Sequence, residues 1–515
     1  MKKNNYLMSA LLLGGMLLST LTAGAEDRVV KLTTSQAVGT EMTFLVNRTY
    51  AGVTVDWGDG FPVTYNTGTD AIREVKGTVK GTSITITGNA AWDMFSCASC
   101  SVETIDLSGA TGLRSLFCQD NNLSIISMKG MSNLVDLDAS NNQLTSIEYT
   151  KSSNPELDLS KIENINLSNN KLSGTFVIRT KTLRTIDISN NEYTTMYVST
   201  NSALDALNCS NNQLKALSLV QNSALSTLVC SDNNISTLTL PSSLTAFQQI
   251  VCDNNNISTT LNLANCTELS DLSCSGNKLK TIYLPTNTKT SSLNLANNQL
   301  GFGVLPKRSQ RPAFLAFMPQ ATIDVSGYTN MQKKDGIPYM PTVAWTERRD
   351  NQLDLSALRN IAVTSTSTGT TEGNIAWYAE DNDGNQTELK AGTTSSAMND
   401  YFAQAGKFTF FTAQPRVFAR ITANTVYKDD NLYVETSRFA VGEEGVTGIG
   451  NITSEKGDLQ LLTTKGSITL SCDGTLPVRI VTIGGKTVWN GNVSGTVTLS
   501  FPSGAYIVNG QKVLL

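Results

Sequence analysis

The sequence contains no histidine. That removes Ser-His-Asp and Cys-His catalysis, every imidazole metal ligand and the commonest general base. Charge is scarce as well. Charged residues are 16% of the chain, and 39 basic against 43 acidic side chains leave a net charge of −4. No basic surplus exists to draw in nucleic acid or an anionic membrane. Outside the N-terminal segment no apolar run approaches the length of a membrane-spanning helix. A carboxylate-based hydrolase is the catalytic class left open, and no paired acidic motif supports it.

What the chain does have is a repeat. Leu113-x-x-Leu116-x-Cys118-x-x-Asn121-x-Leu123 places apolar residues at positions 1, 4, 6 and 11 and an asparagine at position 9. The template recurs nine times, at Asn121, Asn142, Asn170, Asn191, Asn212, Asn233, Asn255, Asn277 and Asn298, with spacings of 21, 28, 21, 21, 21, 22, 22 and 21. A fixed period of this length marks a stacked solenoid. Each coil is expected to give one strand at places 3 to 7. Places 4 and 6 would point inward and places 3, 5 and 7 outward, since strand side chains alternate. The asparagine is expected at a sharp turn, where its amide satisfies backbone groups that no strand reaches. A second apolar pair, such as Leu217 and Leu219 or Leu238 and Leu240, leaves no room for a long helix, so the convex side should be extended.

This pattern resembles the leucine-rich repeat. Position 6 is cysteine in five coils, at Cys118, Cys209, Cys230, Cys252 and Cys274, and Ala139, Leu167, Ile188 or Leu295 in the others. Exchange with aliphatics identifies a small apolar slot filled by buried thiols, rather than disulfides or a metal. A cysteine ladder on a 21-residue period resembles the cysteine-ladder internalins, bacterial surface adhesins, over some 200 residues. Cys97 and Cys100, just before the first coil, read as a local disulfide or two packed thiols, since no βαβ context for a redox motif surrounds them.

The fold expected is mainly β, a leucine-rich repeat solenoid of about nine 21–22-residue coils flanked by β-sandwich modules. Residues 1–25 read as a secretory signal peptide: Lys2 and Lys3, an apolar run from Leu7 to Leu18, and Ala23-Gly24-Ala25 for cleavage. Residues 26–101 read as a β cap, with strands over Val29–Leu32, Met42–Val46, Val53–Trp57 and Ser83–Thr87. Solenoid ends expose apolar edges that need such a cover. Val55-Asp56-Trp57-Gly58-Asp59-Gly60 resembles a motif of polycystic-kidney-disease-type sandwiches, and a turn is favoured there over a calcium site. Val102, Ile105 and Leu107 match the second half of a coil. The solenoid proper is read as 102–300, with seven extra residues inserted around Thr150–Pro155, and 301–343 as its end and a connector rich in proline.

Residues 344–445 carry strand patterns whose spacing suggests an immunoglobulin-like sandwich. Asp381-Asn382-Asp383-Gly384-Asn385 reads as a hairpin turn and not a calcium loop, because its glycine falls at place 4. Residues 446–515 contain Val478-Arg479-Ile480-Val481, Gly484-Gly485-Lys486-Thr487-Val488, Gly504-Ala505-Tyr506-Ile507-Val508 and the end Gln511-Lys512-Val513-Leu514-Leu515. This order resembles the C-terminal sorting domain of type IX secretion substrates. The resemblance implies Sec export, recognition by the outer-membrane translocon, removal of the domain in most cases, and for many such proteins attachment to surface lipopolysaccharide.

The concave wall is expected to bind. Its outward places include Phe117, Asp136, Asp138, Asp187, Val229, Val251, Asp253 and Asp271, with no lysine or arginine among places 3, 5 and 7. The wall is polar to weakly acidic in its first half, with an apolar pair at Val229 and Val251. A stiff, wide surface suits protein recognition. The expected function is a secreted, surface-exposed, non-enzymatic module for protein recognition or adhesion, in cell–cell contact, biofilm or host binding. The alternative is a glycan-binding or enzyme-accessory surface protein, although Phe117 is the single aromatic on this wall for sugar stacking. No metal, cofactor, nucleic acid or transmembrane segment is expected. The partners are a host or bacterial surface protein and the type IX machinery.

Overall fold

The computed structural model describes residues 28–47, 52–66, 72–88, 93–150, 158–286, 289–306, 312–328, 330–334, 337–342, 349, 352–355, 375–381, 383–392, 400–404, 407–422, 432–442, 460–464, 467–482, 487–501, 505–508 and 511–514. They fall into two compact units, residues 1–298 with 309–317, and residues 299–308 with 318–515. The leader, the tip of the coil 2 insertion and Ile483–Lys486 lie outside the described residues.

In the first unit the N-terminal strands begin an antiparallel module. Arg28–Thr34, Val53–Asp56, Val63–Tyr65, Ser83–Gly88 and Val102–Gly109 form a five-stranded sheet. Phe44 stacks on Trp57 at 5.4 Å and meets Phe95 at 5.6 Å in its core. The Gly58-Asp59-Gly60 stretch is a turn: Asp56 Oδ1 accepts the N–H groups of Gly58 and Gly60 at 2.9 and 3.1 Å, and Lys80 pairs with Asp59. Gly58 has φ +107 and a Cβ there would lie 2.6 Å from Gly81, so no other residue fits. Val102, Ile105 and Leu107 are buried as a coil's second half would be, yet their strand pairs antiparallel with Arg28–Thr34.

The solenoid is a run of parallel strands, one per coil, and it exceeds the nine repeats read from the sequence. Met94–Ser96 adds a leading coil and Phe314–Ala316 a trailing one. Met94–Ser96 also borders Glu41–Asn47, so module and solenoid share one 13-stranded sheet. The strands occupy places 3 to 5, as in Ala206–Asn208, and not the expected 3 to 7. Place 6 still points inward, with Cys209 at 0% exposure. The convex side is extended, as expected. It consists of short parallel pairs: Ile125–Ser127 with Ser146–Glu148, Ser173–Val177 with Glu192–Tyr197, Ala216–Ser218 with Thr237–Thr239, and Leu261–Asn262 with Ile282–Tyr283. Leu217 and Leu219 are buried, whereas Leu240 is only half-buried.

The sharp turn belongs to place 8, one residue before the asparagine. Asp120, Asn141, Asn169, Asn190, Asn211, Asp232, Asn254, Gly276 and Asn297 all have φ between 52 and 66. Asn, Asp and Gly tolerate this left-handed region best. The chain then presents the place-9 amide to the interior. Asn212 Nδ2 donates to the carbonyls of Ile188, Cys209 and Ser210 at 2.9, 3.2 and 3.2 Å, and Oδ1 accepts the Tyr193 N–H at 2.9 Å. Each asparagine thus joins its own coil to the one before it. The pattern holds from Asn121 to Asn298. After coil 9 the acceptor is Gln320, whose Oε1 takes the Leu300 N–H at 2.9 Å. A second amide rung lies on the far side of the coil, where Asn222 Nδ2 donates to the Val198 and Asn201 carbonyls.

In the second unit a seven-stranded and a four-stranded sheet enclose one core, and two strands of the larger sheet, Gln332–Lys334 and Ile337–Met340, come from the stretch read as a connector. Trp377 is its centre, edge-on to Phe408, Phe410 and Phe439 at 5.3, 5.0 and 5.6 Å. Asp381 Oδ1 accepts the N–H groups of Asp383 and Asn385, which makes the expected hairpin turn between Ile375–Glu380 and Gln386–Glu388. On one face of the larger sheet Arg420 lies over Tyr378 and Tyr433, and Glu380 pairs with Arg416 and Arg438. The C-terminal strands Gln460–Thr464, Ser467–Thr482, Thr487–Ser500, Ala505–Val508 and Gln511–Leu514 form a separate five-stranded sheet around Ile468, Ile480 and Val508.

Asn212→Ala leaves a buried N–H and buried carbonyls without their amide partner. It should cost about 2–4 kcal/mol. Urea unfolding of the variant checks this, and an unchanged midpoint would remove the asparagine from its linking role.

Candidate binding surface

Places 3 and 5 of the parallel strands make the concave wall. The polar side chains of coils 1 to 5 are mostly bonded to one another. At place 3, Asp136 accepts from Ser115 Oγ at 2.9 Å and Asn164 Nδ2 at 2.7 Å, and Thr185 donates to Asn164 Oδ1 at 2.8 Å. At place 5, Asp138 Oδ1 accepts both the N–H and the hydroxyl of Ser140, at 3.0 and 2.6 Å. Asn166 with Ser168, Asp187 with Ser189 and Asn208 with Ser210 repeat that closure. Amides then connect the rows, Asn166 to Asp138 and Asn208 to Asp187.

Place 7 therefore does not project from the wall as the alternation implied. Ser140, Ser168, Ser189 and Ser231 are buried. In three of these coils the chain leaves the strand after place 5 and the serine folds back on the preceding Asp or Asn. Asp138 is itself only 8% exposed. Burial pushes the Asp138 and Asp187 carboxyls above the ordinary carboxylate range, against the lowering effect of their serine and asparagine donors. These two aspartates build the turn, and replacing them perturbs the wall itself.

The network stops at coil 6. Val229 and Val251 take place 5 in neighbouring strands and stand directly opposite each other in the register, both half-buried. Without an acceptor at place 5, coil 7 shifts the job to place 7. Asp253 accepts from the hydroxyls of Ser273 and Ser275 and from the Ser275 N–H. Asp271 is half-buried at place 3 and holds the Ser270 hydroxyl. Phe117 is half-buried at the other end of the wall, in coil 1, apart from the valine pair. Phe314, 55% exposed at place 3 of the trailing strand, is a second wall aromatic. The sequence template missed it because the trailing coil has Gln320 where an asparagine was sought.

Behind the wall the place-6 cysteines are unbonded and fully buried. Cys97 falls at place 6 of the leading coil, with Cys100 at its place 9, so both are packed thiols. Burial pushes the Cys209 thiol up to about 12 and Cys100 to about 11. Cys266, which the template did not cover, is buried as well. Thiols held this far from ionisation are poor nucleophiles and poor metal ligands.

Neither a family model nor a curated protein sequence matches the chain. Solved structures do resemble it. A leucine-rich repeat protein of Leptospira interrogans is 21% identical over 42% of this chain and 57% of its own length, with a TM-score of 0.34. The functional domain of InlJ from Listeria monocytogenes, which includes a cysteine ladder, is 17% identical over 71% of this chain and 93% of that domain, at 0.26. An internalin from the same species is 17% identical over 44% and 81%, at 0.30.

Two outcomes follow. Cys230→Ser should cost about 1–3 kcal/mol by burying a hydroxyl in an apolar slot, and native thiols should resist iodoacetamide until the protein unfolds. Asp138 has a raised pKa in the folded state, so its share of stability is complete below about pH 4 and declines as pH rises. Asp138→Asn should therefore gain stability relative to the parent between pH 4 and 7, measured by urea unfolding. A parallel pH profile would deny the raised pKa.

Proposed function

We propose that this chain is an exported cell-surface protein whose solenoid recognises a protein partner, in adhesion between cells, in biofilm or on a host. It acts as a binding module and not as an enzyme. The observation that carries the reading is the interruption of the wall network at coils 6 and 7. Coils 1 to 5 spend much of their hydrogen-bonding capacity internally, whereas Val229 and Val251 present apolar surface on a rigid sheet. Burying such a patch against a partner incurs little ordering cost. Aromatic anchors strengthen interfaces, and Phe314 lies on the same wall toward the trailing end.

Export is supported by the leader-like residues 1–25 and by residues 446–515, which resemble a type IX sorting domain. That domain would engage the secretion machinery and place the solenoid outside the outer membrane. No helix among the described residues is long and apolar enough to cross a membrane.

The test is made on cells producing the full chain, a version ending at Glu444, and a full-length Val229→Asp, Val251→Asp double variant. Surface protease should reach the full chain and the double variant but not the truncated protein. Adhesion to partner cells should fall at least tenfold in the double variant, and also after those cells are treated with protease. Equal surface exposure of the truncated protein would remove the sorting role. Undiminished adhesion by the double variant would move recognition off this wall.

A further inference from the structure

Two of the spacings between the nine asparagines are 22, from Asn233 to Asn255 and from Asn255 to Asn277. In both coils the added residue enters the convex half, in Pro241-Ser242-Ser243 after Leu240 and in Ser258-Thr259-Thr260 before Leu261. The convex ladder, already broken after Ser146–Glu148 and after Glu192–Tyr197, is interrupted again between these two coils. Thr237–Thr239 pairs back to Ala216–Ser218, and Leu261–Asn262 pairs forward to Ile282–Tyr283, but the two pairs belong to separate sheets. A groove of about 420 Å³ opens at the break.

Its lining is specific in kind. Thr237, Thr239, Thr259, Thr260, Asn262 and Asn265 supply hydroxyl and amide groups, and no charged side chain takes part. All six are exposed. Buried Leu238 and Leu261 form an apolar floor. Beside the groove, Tyr283 is 55% exposed and stands opposite Asn262 in the strand register. We propose that this groove binds a neutral saccharide, with the threonine and asparagine groups gripping ring hydroxyls and Tyr283 offering its ring to a sugar face. Hydroxyls and amides both donate and accept, as a polyhydroxyl ligand requires. The volume suits one or two sugar units. An anionic ligand finds no cation here, and an apolar one would strand the polar rim. The site lies on the opposite side of the coil from the valine pair and does not depend on the wall's partner.

Saturation-transfer NMR on the full chain tests it, with cellotriose, maltotriose and laminaritriose as probes and a trimer of galacturonate as the charged control. At least one neutral trimer should receive saturation, and the signal should fall at least fivefold in Thr260→Arg, which fills the groove, and in Tyr283→Ala. Val229→Asp should leave it unchanged. Circular dichroism melting confirms that the variants fold; Thr239→Arg replaces any that does not. No response from any neutral trimer overturns the proposal. So does an equal response in both groove variants, a stronger response from galacturonate, or a loss confined to Val229→Asp, which would put the sugar on the concave wall.

Discussion

The solenoid depends on the place-9 amide. A short coil closes too tightly for strand hydrogen bonds to satisfy every backbone group at the turn. An asparagine supplies donors to carbonyls of two successive coils and an acceptor for an N–H of the earlier one, as Asn212 does. Because those bonds are buried, omitting them exposes no group to water in exchange, and the full desolvation cost would be felt. The asparagine is thus the fastener between coils as well as within each. The left-handed residue before it aims the amide inward, and this is why Asn-Asn, Asp-Asn and Gly-Asn pairs run through the chain.

Recurrence made part of this legible in the sequence. Places 4, 6, 9 and 11 repeat nine times and place 1 eight times, and the burial of Leu207, Cys209 and Asn212 follows from that pattern alone. The coils at the two ends were obscured because their side chains differ. Cys100 stands at place 9 of the leading coil and Gln320 at that of the trailing one. The alternation rule also overran the strand by two residues, since it carries no information about where the chain turns away. The serine at place 7, two residues after an Asp or Asn, was visible as a spacing and is a turn motif.

The surface was less legible than the core for a physical reason. Whether Asp138 presents its carboxylate or spends it on Ser140 depends on geometry between coils, not on the residue's place in a repeat. The Arg420 and Glu380 clusters of the sandwich are further examples. Their partners lie up to 58 residues apart, on strands whose pairing no local pattern encodes. By contrast, the irregular spacings around coils 6 and 7 were in plain view, and they coincide with one of the three breaks in the convex ladder.

The sheet shared by the N-terminal module and the leading coil has an evolutionary consequence. Met94–Ser96 offers the first full coil the same parallel edge that each coil offers the next. A duplicated or deleted unit of 21 residues therefore meets matching partners on both sides. Asn201-Ser202-Ala203-Leu204 and Asn222-Ser223-Ala224-Leu225, one period apart and nearly interchangeable, have the form that such a duplication leaves. The length of the concave wall can grow or shrink by whole coils while the module that starts the stack stays as it is.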